Sequence, residues 1–217
     1  MRCSPRSHDA AHGGPHALEG STSGICATDS KWPPQPRYAG TVPIVDPCLG
    51  CPYRYSAAIG PRGNPVSPIV LVGEAPGATE IVEGEPFRGR AGDVLWKAVD
   101  EARLLEGDLF VTNSVACRPP HGPPSAKAIH ACHGRLVRDL EAHRRDVIVA
   151  LGRTAVRAVT GERDFPILKR HGEVLSSIWA PVVPTLHPAR VLRRPAEYPM
   201  LVEDLRHARR IAYGPGV

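Results

Sequence analysis

The sequence predicts an α/β fold, a three-layer α/β/α sandwich with a central, mainly parallel four-stranded sheet. Four short runs rich in Val, Ile and Leu recur along the chain: "PIVLVG" from Pro68, "DLFVTNSV" from Asp108, "DVIVALG" from Asp146 and "APVVPTLH" from Ala180. Continuous apolar runs of this length suit parallel strands buried on both faces. Segments with helical spacing separate them, and alternating β and α elements imply helices on both faces of the sheet joined by right-handed crossovers.

Taken in order, the first strand leads into "AGDVLWKAVDEARLL", which places Leu95, Ala98, Val99 and Ala102 on one helical face. After the second strand, "SAKAIHACHGRLVRDLEAHR" places Ile129, Cys132, Leu136 and Leu140 on one face. A third helix follows the third strand, from Gly152 through Val159, and a fourth runs from Tyr198 to Ile211. At 217 residues and 42% hydrophobic content the chain can bury one core, so we expect a single domain over 44–213. The stretch 1–43 is rich in Gly, Ser, Pro and His with few periodic apolar residues, and is expected to be a disordered tail. Cys3 and Cys26 lie in it as bystanders.

Lys and Arg outnumber Asp and Glu by 27 to 22, a net charge of +5, which permits a polyanionic partner without requiring one. No run approaches the ~20 apolar residues of a membrane helix, and "MRCSPRSHDAAHGGPH" lacks the apolar stretch of a secretory signal. A cytoplasmic monomer with no membrane partner is therefore expected. In a reducing compartment the cysteines read first as metal ligands.

Ligands of such sheets sit outside the carboxyl ends of the strands. Those ends carry Gly73-Glu74-Ala75-Pro76-Gly77, Thr112-Asn113, Gly152-Arg153 and His187-Pro188. Glu74 and Glu80 flank a Pro-Gly turn, where a carboxylate can orient water or stabilise a cation; solvated loop glutamates are the plainer reading. Asn113 offers an acceptor and two donors, as the edge of a pyrimidine needs, or a turn cap. Phe87 is a ring for stacking on a base, or a core plug. His187, followed by Arg190, Arg193 and Arg194, supplies an imidazole donor with a cationic rim, or a structural His-Pro turn. Cys48 and Cys51 form a C-x2-C pair, and Cys117 and Cys132 follow; on spacing alone the four suit zinc or a [4Fe-4S] cluster equally. Nearby His121, His130 and His133 keep the ligand set open. Against this, Cys132 can be a buried apolar residue of its helix and Cys117 a loop thiol.

Together, "GEAPGATE" with "GEPFRGRAG", "VTNSVACRPP", "VIVALGRTAVRAVTG" and "VPTLHPARVLR" resemble the family 4 uracil-DNA glycosylases, the iron-sulfur branch of that superfamily, from about Asp46 to Ala208. The resemblance implies a monofunctional repair enzyme that flips uracil out of DNA, hydrolyses its N-glycosidic bond and leaves an abasic site. It implies a [4Fe-4S] cluster on Cys48, Cys51, Cys117 and Cys132, and a catalytic side lined by Glu74, Glu80 and His187. Phe87 would stack on the base, Asn113 would read its edge, Gly73 and Ala75 would border it, and Arg190 and Arg193 would meet the DNA backbone. Three departures stand out: Ile81 where the family usually has Asp, Arg88 where it has Val, and His121-Gly122-Pro123-Pro124 in place of an Asn-Arg pair. They admit a non-catalytic relative, a broader range of deaminated bases, or a relative that traps DNA covalently through His121. The trapping branch has a longer basic insertion and a Gln where Ala75 stands, so hydrolysis is the expectation.

Overall fold

The computed structural model describes residues 48, 50–54, 56–142 and 145–214. The expected tail, with Cys3 and Cys26, lies outside the described residues, as does the expected domain boundary at residue 44. The strands are β1 (Arg62–Gly63), β2 (Ile69–Gly73), β3 (Phe110–Asn113), β4 (Val147–Leu151) and β5 (Val182–Thr185). The helices are α1 (Ala78–Glu83), α2 (Arg90–Glu101), α3 (Ala126–Glu141), α4 (Arg153–Thr160), α5 (Ile167–Arg170), α6 (Pro188–Arg193) and α7 (Tyr198–Tyr213).

They form one five-stranded sheet in the order β1-β3-β2-β4-β5. The four strands expected from the apolar runs pair in parallel, and the fifth, β1, pairs antiparallel with β3. This corrects the expected strand count. Two half-buried residues, Arg62 and Gly63, carry no apolar pattern to read. What admits the strand is close approach, since a Cβ on Gly63 would sit 2.0 Å from the Leu109 carbonyl oxygen.

Every residue of β2, β3, β4 and β5 is buried, because the sheet is covered on both sides. Successive side chains alternate between two cores, as the period of two of a strand requires. Val70, Val72, Ile148, Ala150 and Val182 pack with α3 and α4 through Leu136, Leu140, Val156 and Val159. Ile69, Leu71, Val147, Val149 and Val183 pack with α2 and α7 through Leu95, Val99, Leu201 and Leu205. The two cores on opposite faces make the three layers. Pro184 is tolerated in β5 because β5 is a sheet edge.

The long helices follow their apolar faces. On α2, Leu95, Ala98 and Val99 are buried. On α3 the buried set is Ala128, Ile129, Cys132, Leu136 and Leu140, and the Ser125 side chain caps the helix by accepting from the Ala128 N–H at 3.2 Å. Helices α1, α5 and α6 span four to six residues, too short for a periodic signature. Among the described residues no helix is long and apolar enough to cross a membrane.

Leu71 is wholly buried in β2, a central strand, whereas Val82 on α1 is 83% exposed. Leu71→Ala should cost about 2–5 kcal/mol and Val82→Ala less than about 0.5, read as the shift in urea midpoint at constant slope.

Candidate active site

Parallel pairing brings the carboxyl ends of β2, β3, β4 and β5 to one edge, with Gly73 opposite Asn113 and Leu151 opposite Thr185. At the Gly73 end a side chain is not possible without displacement: a Cβ there would lie 2.2 Å from Asn113 Oδ1 and 2.5 Å from Phe87 Cζ. Three residues far apart in sequence thus meet at one point. The Gly73 carbonyl accepts from both the N–H and the hydroxyl of Ser114, at 2.8 and 2.7 Å, which locks the two strand ends together. Arg135 donates to the Asn113 carbonyl from the side of α3.

Phe87 holds a left-handed backbone, φ 55°, a costly conformation for a bulky residue and one that concentrates at functional sites. The Trp96 indole N–H donates to its carbonyl at 2.9 Å, and the two rings meet edge to face at 6.5 Å and 83°. Gly92 lets α2 close on this loop, since a Cβ there would lie 2.0 Å from the Phe87 carbonyl oxygen. On its other side the Phe87 ring lies 6.3 Å from the His187 ring, tilted by 35°.

His187 caps α6, its Nδ1 accepting the Ala189 N–H at 3.2 Å. In the neutral ring the proton therefore sits on Nε2, which is left as a donor. Desolvation holds the His187 pKa below its ordinary value; Glu74 pulls it back up and Arg193 pushes it further down. Glu74 is half-buried, and its Oε2 accepts from the Thr154 hydroxyl at 2.5 Å. Glu80 is placed differently. Its carboxylate reaches back to accept the Gly77 N–H at 3.0 Å, capping α1. A cleft of about 420 Å³ is bordered by Glu74, Ala75, Glu80, Arg118 and His187; Asn113 and Phe87 are buried and do not line it.

The remaining candidates fall around this centre. Arg190 is held by Glu197 in a two-point ion pair, 2.6 Å at both contacts, while Arg193 is exposed and has no ion pair among the described residues. Arg88 forks onto Glu85 at 3.0 and 2.6 Å. His121 is exposed; its neighbours Pro120 and Gly122 line the cleft and it does not. A larger hollow of about 710 Å³, between α3, α4 and the 176–179 loop, contains His130 and His133 and none of the candidate catalytic residues.

Cys48, Cys51, Cys117 and Cys132 are all free thiols. The last three are buried in the core that includes the inner face of α3, and Cys48 packs against that core. Burial pushes the Cys117 thiol up to about 11, with Cys132, Cys48 and Cys51 adding to it. Burial also raises Cys48, with Cys132 and Cys51 adding to that shift. Cys48 and Cys117 are thus each within electrostatic reach of Cys51 and Cys132. The Cys51 sulfur receives the Tyr53 N–H at 3.5 Å and the Cys132 sulfur the Ala116 N–H at 3.4 Å. Among the described residues, no three His, Cys, Asp or Glu side chains group as a site for a metal ion. Three of the thiols are buried and Cys48 is half-buried, and two of the sulfurs, on Cys51 and Cys132, accept backbone N–H groups.

Two residues at the site escape sequence reasoning. Thr154 lies two positions past the strand-end Gly152, and that proximity is the one signal that points to it. Trp96 lies on a helix whose periodicity marks other positions as the buried face.

The chain belongs to the uracil DNA glycosylase superfamily, whose sequence profile matches residues 61–209. Within it, the chain is similar to the type-4 uracil-DNA glycosylase of Sulfurisphaera tokodaii, 37% identical over 174 residues that cover 75% of this chain and 78% of the relative. The type-4 enzyme of Thermotoga maritima is 36% identical over 172 residues, covering 76% and 89%. A type-5 enzyme of Pyrobaculum aerophilum matches over a shorter stretch, 34% over 82 residues, covering 37% and 36%.

Gly73→Ala should destabilise the protein by about 1–3 kcal/mol through overpacking against Asn113 and Phe87. Adding Asn113→Ala should recover part of that loss, a coupling of at least about 0.5 kcal/mol in a denaturant double-mutant cycle.

Proposed function

We propose that this chain excises uracil from DNA by hydrolysing the N-glycosidic bond of an everted deoxyuridine, and that Cys48, Cys51, Cys117 and Cys132 hold a [4Fe-4S] cluster. The observation that carries the reading is the meeting of Phe87 and Asn113 over the side-chain-free Gly73, beside Glu74 and His187. A base is unreachable inside a duplex, so it is turned out at a cost of a few kcal/mol and then selected by a tight pocket. Phe87 takes the face of the pyrimidine. The Asn113 amide matches its edge, where a carbonyl and an N–H stand side by side.

Breaking the glycosidic bond leaves positive charge on the sugar and negative charge on the departing base. His187, kept neutral by desolvation, presents Nε2–H to the oxygen that gains charge. Glu74 keeps one oxygen on Thr154 and has the other for the attacking water and the sugar cation. Since Glu80 is engaged in capping α1, we assign the water to Glu74 and give Glu80 the role of shaping the turn that borders the cleft with Ala75. Arg193 faces the DNA backbone; Arg190, paired with Glu197, secures α6 and reaches a phosphate only by leaving that pair. When bound, the cluster supplies a structural cross-link between the 48–51 segment, the loop after β3 and α3. A cytoplasmic monomer suffices for this chemistry.

Incubation with an oligonucleotide bearing one uracil, followed by alkali, should give strand cleavage that Glu74→Gln lowers by at least about 100-fold; no cleavage above a Glu74→Ala control would rule the reading out. Because the neutral His187 is the working form and its pKa lies below the ordinary 6.5, kcat should hold as pH falls from 8 through 6.5 and decline only below that, in a single-turnover pH profile. Protein purified anaerobically should show a broad visible absorption, with iron and sulfide in cluster proportion, and Cys132→Ser should remove it.

A further inference from the structure

We propose that the turn formed by Gly152 and the first residues of α4 is the positioning element of the site, with Thr154 acting on the reaction through Glu74. The inference rests on the roles assigned above to Glu74 and His187. Strand β4 lies between β2, which ends beside Glu74, and β5, which leads into His187. Whatever follows β4 is therefore flanked by both.

The turn contacts each neighbour. Toward β5, the Gly152 N–H donates to the Thr185 carbonyl at 2.8 Å, and a Cβ on Gly152 would sit 3.0 Å from the Cβ of His187. Gly152 has φ +89°, a conformation that favours glycine, and its backbone packs against the residue that carries the imidazole. Toward β2, Thr154 donates its hydroxyl to Glu74 Oε2 at 2.5 Å. A hydroxyl has one proton to give, and this one goes to the carboxylate; at the start of α4 no side-chain cap is formed. The two groups assigned to opposite charges of the transition state come from different strands, and one short turn spaces them.

A glutamate has several rotatable bonds and turns freely on a loop. With Oε2 bound to Thr154, one rotamer is favoured and Oε1 is the oxygen left for water. Such restraint acts on the geometry of the reacting groups more than on the hold on DNA, so its loss belongs in kcat more than in KM. A threonine that only fastened the loop to the helix would show up in stability, with no dependence on whether residue 74 carries a carboxylate.

The test compares Thr154→Val, which keeps the shape and removes the hydroxyl, with Thr154→Ser, which keeps the hydroxyl, each alone and with Glu74→Gln. Single-turnover excision, KM for uracil-containing DNA and urea midpoints are measured on the cluster-loaded full chain. Thr154→Val is expected to lower kcat by about 10- to 100-fold with KM within about twofold, Thr154→Ser to restore most of the loss, and Thr154→Val added to Glu74→Gln to change kcat less than about twofold. Wild-type kcat in Thr154→Val while Glu74→Gln is impaired would overturn the inference and leave the proposed function standing. So would an equal loss from Thr154→Val in the Glu74→Gln background. A wild-type chain that releases no uracil would instead remove both.

Discussion

The site depends on the in-register parallel pairing of β2 with β3 on one side and β4 on the other, continued by β4 with β5. Parallel strands share a direction, so four carboxyl ends fall on one edge and four connecting loops begin there. Burial makes the register stringent. Residues alternate between two closed cores, and a slip of one residue would turn each core's set toward the other. The hydrophobic burial that holds the sheet therefore also sets which loop residues become neighbours. Gly73 faces Asn113 for the same reason that Val72 faces Thr112.

Around that edge the chain accepts local strain where tertiary contacts outweigh it. Phe87 stays left-handed because Trp96 binds its carbonyl and Gly92 admits α2 to the same loop. Arg62 stacks on the other side of this support, its guanidinium carbon 4.6 Å from the Trp96 ring centroid, while it pairs with Glu106 at 2.5 Å. Strand β1, two residues long, thus contributes to the setting of an aromatic ring well outside the sheet. The charged loop "EGEPFRGRAG" carries one ion pair of its own, Arg88 with Glu85, and a second that ties it to β1, Glu85 with Arg62.

On the other face, the thiols are grouped in a place that disfavours ionising them one at a time. Burial and the neighbouring thiols raise Cys117 and Cys48, so ionising either one in that core is disfavoured. Cys117 lies in the loop after β3, a strand that ends at Asn113, and the same loop places Arg118 at the cleft. The buried Cys117 and the strand end at Asn113 are thus connected by a short stretch of chain.

The four parallel strands and the four longer helices were legible in the sequence because apolar runs and helical periodicity are local consequences of burial. So were Glu74, Asn113 and His187 as strand-end residues, and the spacing of Cys48 and Cys51. Strand β1 and helices α1, α5 and α6 were not, since elements this short carry too few residues for a period. Nor could any local signal separate Glu74 from Glu80. One is held by a hydroxyl from a turn 80 residues away and the other by the start of its own helix, and only the folded chain brings the first of those partners near. The same holds for the burial of His187 and its nearness to Glu74. Composition determines which residues must be buried, while proximity between distant segments decides which of the polar ones meet a partner, a carboxylate or open water.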